Sequence, residues 1–258
     1  MSSHRVDHFW ANSSWVAQRI RRYYGRSSEV LAPPVAVDDF RPEDARPEDA
    51  ARAGVSADAS GKELDSEGHL SDNDPDVAQA YLDRLDIPGP FALAVSALVP
   101  YKKLDLAIKT CEERGMTLLV VGTGPEQNAL RRLCGRHARL LGRVDDPLLR
   151  GLYRRAQLFL QPGVEDFGIA SVEALASGTP VVAIGQGGIR DIVVDGEHGV
   201  LYEGAGTEPI HRAIDKFLKI RFNALKLTDR ARSFSLAHFA HSLKSSIAHQ
   251  IASRDQTR

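Results

Sequence analysis

This 258-residue sequence predicts an α/β fold: a parallel β-sheet with helices on both faces. Three observations predict it. Short apolar runs alternate with amphipathic stretches of about ten residues. The runs FALAVSA, TLLVVG and PVVAIG are continuously apolar, as strands buried on both faces must be. Glycine or proline punctuates the junctions between them.

The elements follow in order. WVAQRIRRYYG carries Val16, Ile20 and Tyr23 or Tyr24 at helical spacing, has arginines between them, and ends at Gly25. EVLAPPV reads as a brief strand stopped by Pro33-Pro34. Residues 41–76 open with a tandem RPEDA and contain no aromatic residue. That stretch cannot bury enough apolar surface to offset its ordering entropy, so a disordered acidic insert is expected. PDVAQAYLDRLDI then reads as a helix, FALAVSA as a strand, KKLDLAIKTCEERG as a helix ending at Gly115, and TLLVVG as a strand. PEQNALRRLCGR reads as a helix with proline in its first turn. ARLLG, DPLLRGLYRRA and QLFLQP continue as strand, helix, strand. IASVEALASG is the next helix, PVVAIG the next strand, and helical segments fill 207–251.

Composition narrows the function classes. Apolar residues at 43% and charged residues at 26% are an ordinary globular balance. The formal charge of −1 argues for no nucleic-acid partner. It hides an asymmetry, because 41–76 carries −7 and the rest therefore +6, a mildly basic body suited to a small anionic ligand. Cys111 and Cys134 fall in amphipathic patterns and read as free thiols in a reducing compartment. The nine histidines lack ligand spacing, so no metal is expected. MSSHRVDHFW has no apolar h-region, and no run approaches the roughly 18 residues of a membrane span. A cytoplasmic chain is expected, with at most peripheral contact to the inner face of a membrane.

Sheets of this class bind ligands at the C-terminal ends of their strands. The loops there are SALVPYKK (96–103), GTGPE (122–126), GRVDD (142–146), PGVEDFG (162–168) and GQGGIR (185–190). Gly168 opens a helix whose first N–H groups are free and whose dipole is positive there, an arrangement suited to a diphosphate. Lys102 brings a formal positive charge to the same edge. Glu165 lies just before the helix and Glu173 within it. A carboxylate accepts from two hydroxyls at once, as a sugar presents them. A diphosphate flanked by two sugars would use all these parts. GTGPEQN, by contrast, lacks the third glycine of a dinucleotide fingerprint.

EDFGIASVEALASGTPVVA resembles the donor-binding signature of retaining glycosyltransferases of family 4. So, in the same order, do ALVPYKKLDLAI, LLVVGTGPE, LLGRVDD and GGIRDIVVDGEHGVLY. ANSSWVAQRIRRYYG and PPVAVDDF resemble the end of that family's first domain and its crossover. The resemblance spans about residues 5–240 without the acidic insert. It implies the Rossmann-like C-terminal half of a GT-B fold, with an N-terminal remnant over 1–40 and the donor domain over 77–258. The acceptor domain would be largely missing, left to a longer chain or a separate polypeptide half.

By position, the resemblance implies that Lys102 binds the donor diphosphate and Glu173 the ribose. Catalytic Glu165, with backbone groups of Asp166, Phe167, Gly168 and Ile169, would face the transferred sugar. Arg143 and Val144 would meet the base. The donor would be a GDP- or UDP-linked sugar and the acceptor a glycan or lipid-linked glycan, with neither metal nor cofactor. Many members carry an arginine where this chain has Ala97, a place that Lys103 or Arg190 could fill. The form SALVPYKK resembles a branch associated with mannosyl transfer to bacterial polysaccharides. The alternative is a nucleotide-sugar-binding module without turnover, or a degenerate fragment. Trp10 and Trp15 are expected to pack beneath the C-terminal helices.

Overall fold

The computed structural model describes residues 5–40, 75–87 and 89–255. The insert expected over 41–76 lies, up to position 74, outside the described residues. The chain begins with a short strand, β1 (Trp10–Ala11), then helix α1 (Ser14–Tyr24) and strand β2 (Glu29–Val30), which runs parallel to β1. Ser13 caps α1 by accepting from the Val16 N–H at 3.1 Å, and Gly25 closes it with φ 63°. Helix α2 (Pro75–Arg84) and strand β3 (Phe91–Val95) follow. Next come α3 (Leu104–Arg114), β4 (Thr117–Val121), α4 (Gln127–Leu133), β5 (Ala138–Gly142), α5 (Asp146–Arg155) and β6 (Leu158–Gln161). Then come α6 (Ile169–Ala176), β7 (Val181–Ile184), β8 (Gly199–Tyr202), α7 (Thr207–Phe217), α8 (Ala224–Arg232) and α9 (Leu236–Asp255).

Strands β3 to β8 form one parallel sheet in the order β5-β4-β3-β6-β7-β8. Side chains alternate between two cores. Phe91, Leu93, Leu119 and Val121 point into one, and Ala92, Ala94, Leu118 and Val120 into the other. The predicted α/β class is the observed one. The strand order reverses between β3 and β6, so the loops leaving these two strands diverge and leave a crevice.

Two elements differ from expectation. GVLY forms β8, a parallel edge strand that was not predicted. Helix α4 starts at Gln127 and stops at Leu133, shorter at both ends than its pattern. Its end has a local cause. The Glu112 carboxylate accepts N–H groups of Gly135, Arg136, His137 and Ala138 at 2.6–3.1 Å, drawing that backbone out of the helix and into β5. The four bonds hold the Glu112 pKa below its ordinary value against a desolvation that raises it.

The N-terminal segment docks on the main body. Trp10 Nε1 donates to Ser246 Oγ of α9 at 2.9 Å, but the residue stays 41% exposed, so it meets the C-terminal helix at its edge rather than packing beneath it. The Ser14 N–H and Oγ both donate to the Asp191 carboxylate at 2.6 Å. In the 122–126 loop, a Cβ on Gly122 would lie 1.9 Å from the Ser96 carbonyl oxygen. That glycine therefore serves the packing of two loops.

Candidate functional site

The crevice beside β3 and β6 holds a cavity of about 730 Å³, within the range of small-molecule sites. Lys102, Glu165, Asp166, Phe167, Gly168, Ile169 and Glu173 all line it, so the structure brings seven of the nine predicted site residues together. Arg143 and Val144 do not line it; they lie on the loop between β5 and α5. Ala97 and Tyr101 also contribute to the wall.

Each side chain is placed by its element. The loop after β3 forms a single 3₁₀ turn, Pro100–Lys102, and Lys103 follows with φ 54°. Lys102 Nζ thereby reaches Glu165 Oε1 at 2.6 Å, with the two side chains only 14% and 20% exposed. The loop carrying Glu165 is fixed by a parallel bridge to Gly187 and by the Gly188 N–H, which donates to the Glu165 carbonyl at 2.8 Å. Asp166 faces the N-terminal segment. Its carboxylate accepts from Arg19 Nη1 at 2.7 Å and its carbonyl accepts from Ser13 Oγ. Phe167 is buried edge-on against Phe234, leaving its backbone as the part available to a ligand. Gly168 is the N-cap of α6, and the N–H groups of Ile169 and Ala170 have no carbonyl one turn earlier in the helix.

Glu173 lies one turn into α6. Its Oε2 accepts from the Tyr153 hydroxyl at 2.8 Å. The sequence pattern places Tyr153 on a helix without pointing to this partnership. Burial raises the Glu173 pKa, and the hydrogen bond from Tyr153 opposes that rise. Desolvation and the adjacent carboxylate push the Tyr153 phenol well above its ordinary value, so it remains a donor.

This coupling yields a pH prediction. Glu173 folded holds its proton more tightly than unfolded, so the group's contribution to stability is present below its unfolded pKa. It is lost as pH rises through the folded pKa. Ligand binding that needs the carboxylate runs the opposite way and weakens as pH falls through the same window. Tyr153→Phe removes the opposing hydrogen bond, so the acid limb of binding is expected to move to higher pH. Titrating affinity against pH in both proteins checks it, and coincident limbs would refute it.

Lys102 is the one cation among the described residues lining the cavity, beside three carboxylates. Asp166 is answered by Arg19, and Glu165 by Lys102 itself. Of the two residues considered as substitutes at the Ala97 position, neither lines this cavity. Arg190 lines the adjoining one, where its Nη2 lies 3.0 Å from Glu203 Oε1.

Residues 84–234, the whole of the six-stranded sheet and the helices to α8, match the family Glycosyl transferases group 1. The chain belongs to this family. The α/β fold is that of GT-B glycosyltransferases. Among the relatives of this group 1 chain is a phosphatidyl-myo-inositol mannosyltransferase of Mycobacterium leprae. It is 37% identical over 106 residues, which are 40% of this chain and 28% of the relative. A second is a GDP-mannose-dependent alpha-(1-6)-phosphatidylinositol monomannoside mannosyltransferase of Mycobacterium tuberculosis. It is 28% identical over 247 residues, 88% of this chain and 56% of the relative. The chain thus spans less than two thirds of the length of either. The crystal structure of Anabaena Alr3699/HepE in complex with UDP superposes with a TM-score of 0.72 at 18% identity, covering 95% of this chain and 64% of that one. At that identity the likeness speaks for the fold.

Proposed function

We propose that the crevice binds a nucleotide-diphospho-sugar and serves retaining glycosyl transfer of the family 4 type, with GDP-mannose as the donor. One observation carries the reading: Lys102, Glu165, the start of α6 and Glu173 converge on one cavity at the strand switch point of a group 1 glycosyltransferase. Lys102 and the Ile169 and Ala170 N–H groups hold the diphosphate. Glu173 accepts from the ribose hydroxyls, and Glu165 faces the transferred sugar. Arg143 and Val144, on the loop after β5 two strands away from β3 along the same edge, contribute to the base site.

During transfer the bond from the anomeric carbon to the phosphate oxygen breaks. The acceptor oxygen bonds to the same face of the sugar, and the acceptor's proton leaves with the diphosphate. The groups that hold the diphosphate act on the charge that develops there, which gives them their catalytic value. This reading needs neither metal nor cofactor.

Two of the relatives are named for mannosyl transfer to phosphatidylinositol compounds, which supports mannose as the sugar and a glycan or lipid-linked acceptor. Anabaena Alr3699/HepE binds UDP, which supports a nucleotide in the crevice. Among the described residues no helix is long and apolar enough to cross a membrane, and the proposed membrane contact is peripheral, at the cytoplasmic face.

Calorimetric titration with GDP-mannose, GDP-glucose, UDP-glucose and UDP-N-acetylglucosamine tests the reading. Saturable binding of GDP-mannose, lost in Glu173→Ala, is expected. Binding of a UDP sugar instead would correct the base. A folded sample that binds none of the four would sink the proposal.

A further inference from the structure

The six-stranded body does not supply the whole wall of the donor cavity. Asn12 and Pro33, both from the N-terminal segment, line it together with the loops after β3 and β6.

Asn12 sits between two fixed residues. Ala11 pairs with Val30 in the short parallel ladder, and its carbonyl accepts from the Leu31 N–H at 2.8 Å. The Ser13 hydroxyl works twice. It accepts from the Val16 N–H as the cap of α1, and it gives its single proton to the Asp166 carbonyl. Ser14 then anchors to the Asp191 carboxylate through two bonds of 2.6 Å. Ala11 and Ser13 are 1% and 0% exposed, whereas Asn12 between them is exposed.

Local structure does not explain the choice of asparagine at this position. An asparagine at a helix start ordinarily caps it, but Ser13 holds that place. Ser13 Oγ lies 3.4 Å from Asn12 Oδ1, beyond the usual O–H···O range, and its proton is already given to Asp166. Among the described residues the Asn12 side chain makes no other hydrogen bond. Its amide therefore keeps two N–H donors and a carbonyl for a ligand. The backbone that carries it is already fixed, so binding orders little more than one side chain.

The place of Asn12 along the cavity decides which part of the ligand it meets. Ser13 ties this segment to Asp166, in the 165–169 stretch assigned to the transferred sugar. Glu173, assigned to the ribose, lies further along, one turn into α6. A neutral amide adds no charge to the hold on a diphosphate, but it offers a sugar hydroxyl both a donor and an acceptor.

We infer that Asn12 hydrogen-bonds a hydroxyl of the transferred hexose and so helps determine which sugar is held. The inference rests on the donor reading above. It makes donor recognition the joint work of the sheet's loops and of the segment that precedes α1.

The test is calorimetric titration of the full chain with GDP and with GDP-mannose, or with UDP and its sugar should the donor titration select that base. The two ligands differ by the hexose alone. The variants are Asn12→Ala and, as a reference, Glu173→Ala, with Tm measured for each. Asn12→Ala is expected to weaken GDP-mannose about three- to tenfold, the worth of one neutral hydrogen bond. It should leave the affinity for GDP and the Tm unchanged. Glu173→Ala should lose both ligands together, because the ribose is common to them. Unchanged GDP-mannose affinity in Asn12→Ala, beside a parent that binds it, would overturn the inference and leave the donor reading standing. Equal weakening of GDP and GDP-mannose would also overturn it, by placing the amide at the nucleotide or the diphosphate. A lowered Tm accompanying the loss would assign Asn12 to the fold instead. A folded parent that binds neither nucleotide nor sugar nucleotide would remove the donor reading and this inference with it.

Discussion

Replacing Lys102 by alanine is expected to weaken binding of the nucleotide-diphospho-sugar about 10- to 150-fold, the worth of a charge-assisted hydrogen bond of roughly 1.5–3 kcal/mol. The expectation is large because the cavity offers no substitute. Lys102 is the one cation among the described residues lining it, and Ala97 occupies a place where a second would stand. Arg190 lines the adjoining cavity instead, beside Glu203. Lys102 pairs with Glu165 at 2.6 Å, both side chains largely withdrawn from water. An entering diphosphate adds a second anion to the same ammonium. Without Lys102 the donor loses an attraction and also meets Glu165 uncompensated. The double variant Lys102→Ala/Glu165→Gln should therefore bind better than Lys102→Ala alone, an interaction that a double-mutant cycle isolates. Calorimetry on the four proteins reads it. Unchanged affinity in Lys102→Ala would remove the diphosphate from this part of the crevice.

Much of this arrangement was legible in the sequence because it depends on loop position. Once FALAVSA and QLFLQP are recognised as parallel strands, Lys102 and Glu165 must fall at the same edge of the sheet. What the sequence could not show is which two loops diverge. That follows from β6 pairing with β3, and strand order leaves no local trace. Strand β8 escaped because GVLY is four residues long, sits at a sheet edge, and follows a glycine-rich turn. Tyr153 escaped for another reason. Its pairing with Glu173 spans 20 positions and two helices, and a lone tyrosine on an apolar helix face reads as core. Asp166 was legible in place but not in direction. Its backbone faces the cavity while its carboxylate reaches Arg19 on a segment 147 positions away. Arg143 and Val144 were placed by resemblance alone, and the loop that carries them stands off from the cavity wall.

The second large effect is expected at Gly188, in a region the sequence marked only as a glycine turn. A Cβ there would lie 2.3 Å from the Asp166 carbonyl oxygen and 2.5 Å from Phe167 Cα. Both are backbone atoms, so no side chain can swing aside. Gly188→Ala must push the 162–168 loop away from the 185–190 loop, and three features move with it. The Gly188 N–H bond to the Glu165 carbonyl lengthens, the Glu165 carboxylate shifts from Lys102, and Gly168 carries the start of α6 out of line. Overpacking of this kind costs about 1–3 kcal/mol, and each kcal/mol lowers Tm by about 2–4 °C in a chain of this size. The donor should suffer beyond the stability loss, because the displaced loop supplies several groups to one ligand and they fail together. Below the transition, Gly188→Ala is expected to stay folded and to bind donor at least about tenfold more weakly, a shift of some 1.4 kcal/mol. A destabilised variant with unchanged donor affinity would show that the loop's place against Gly188 matters to the fold alone. A variant as stable as the parent would mean that the close approach of the two loops is absent in solution. In the expected outcome, one methyl group placed between the two loops disturbs the diphosphate site and the sugar-facing carboxylate together. Such joint failure is what the backbone pairing of the two loops, Glu165 with Gly187 and Gly188, requires.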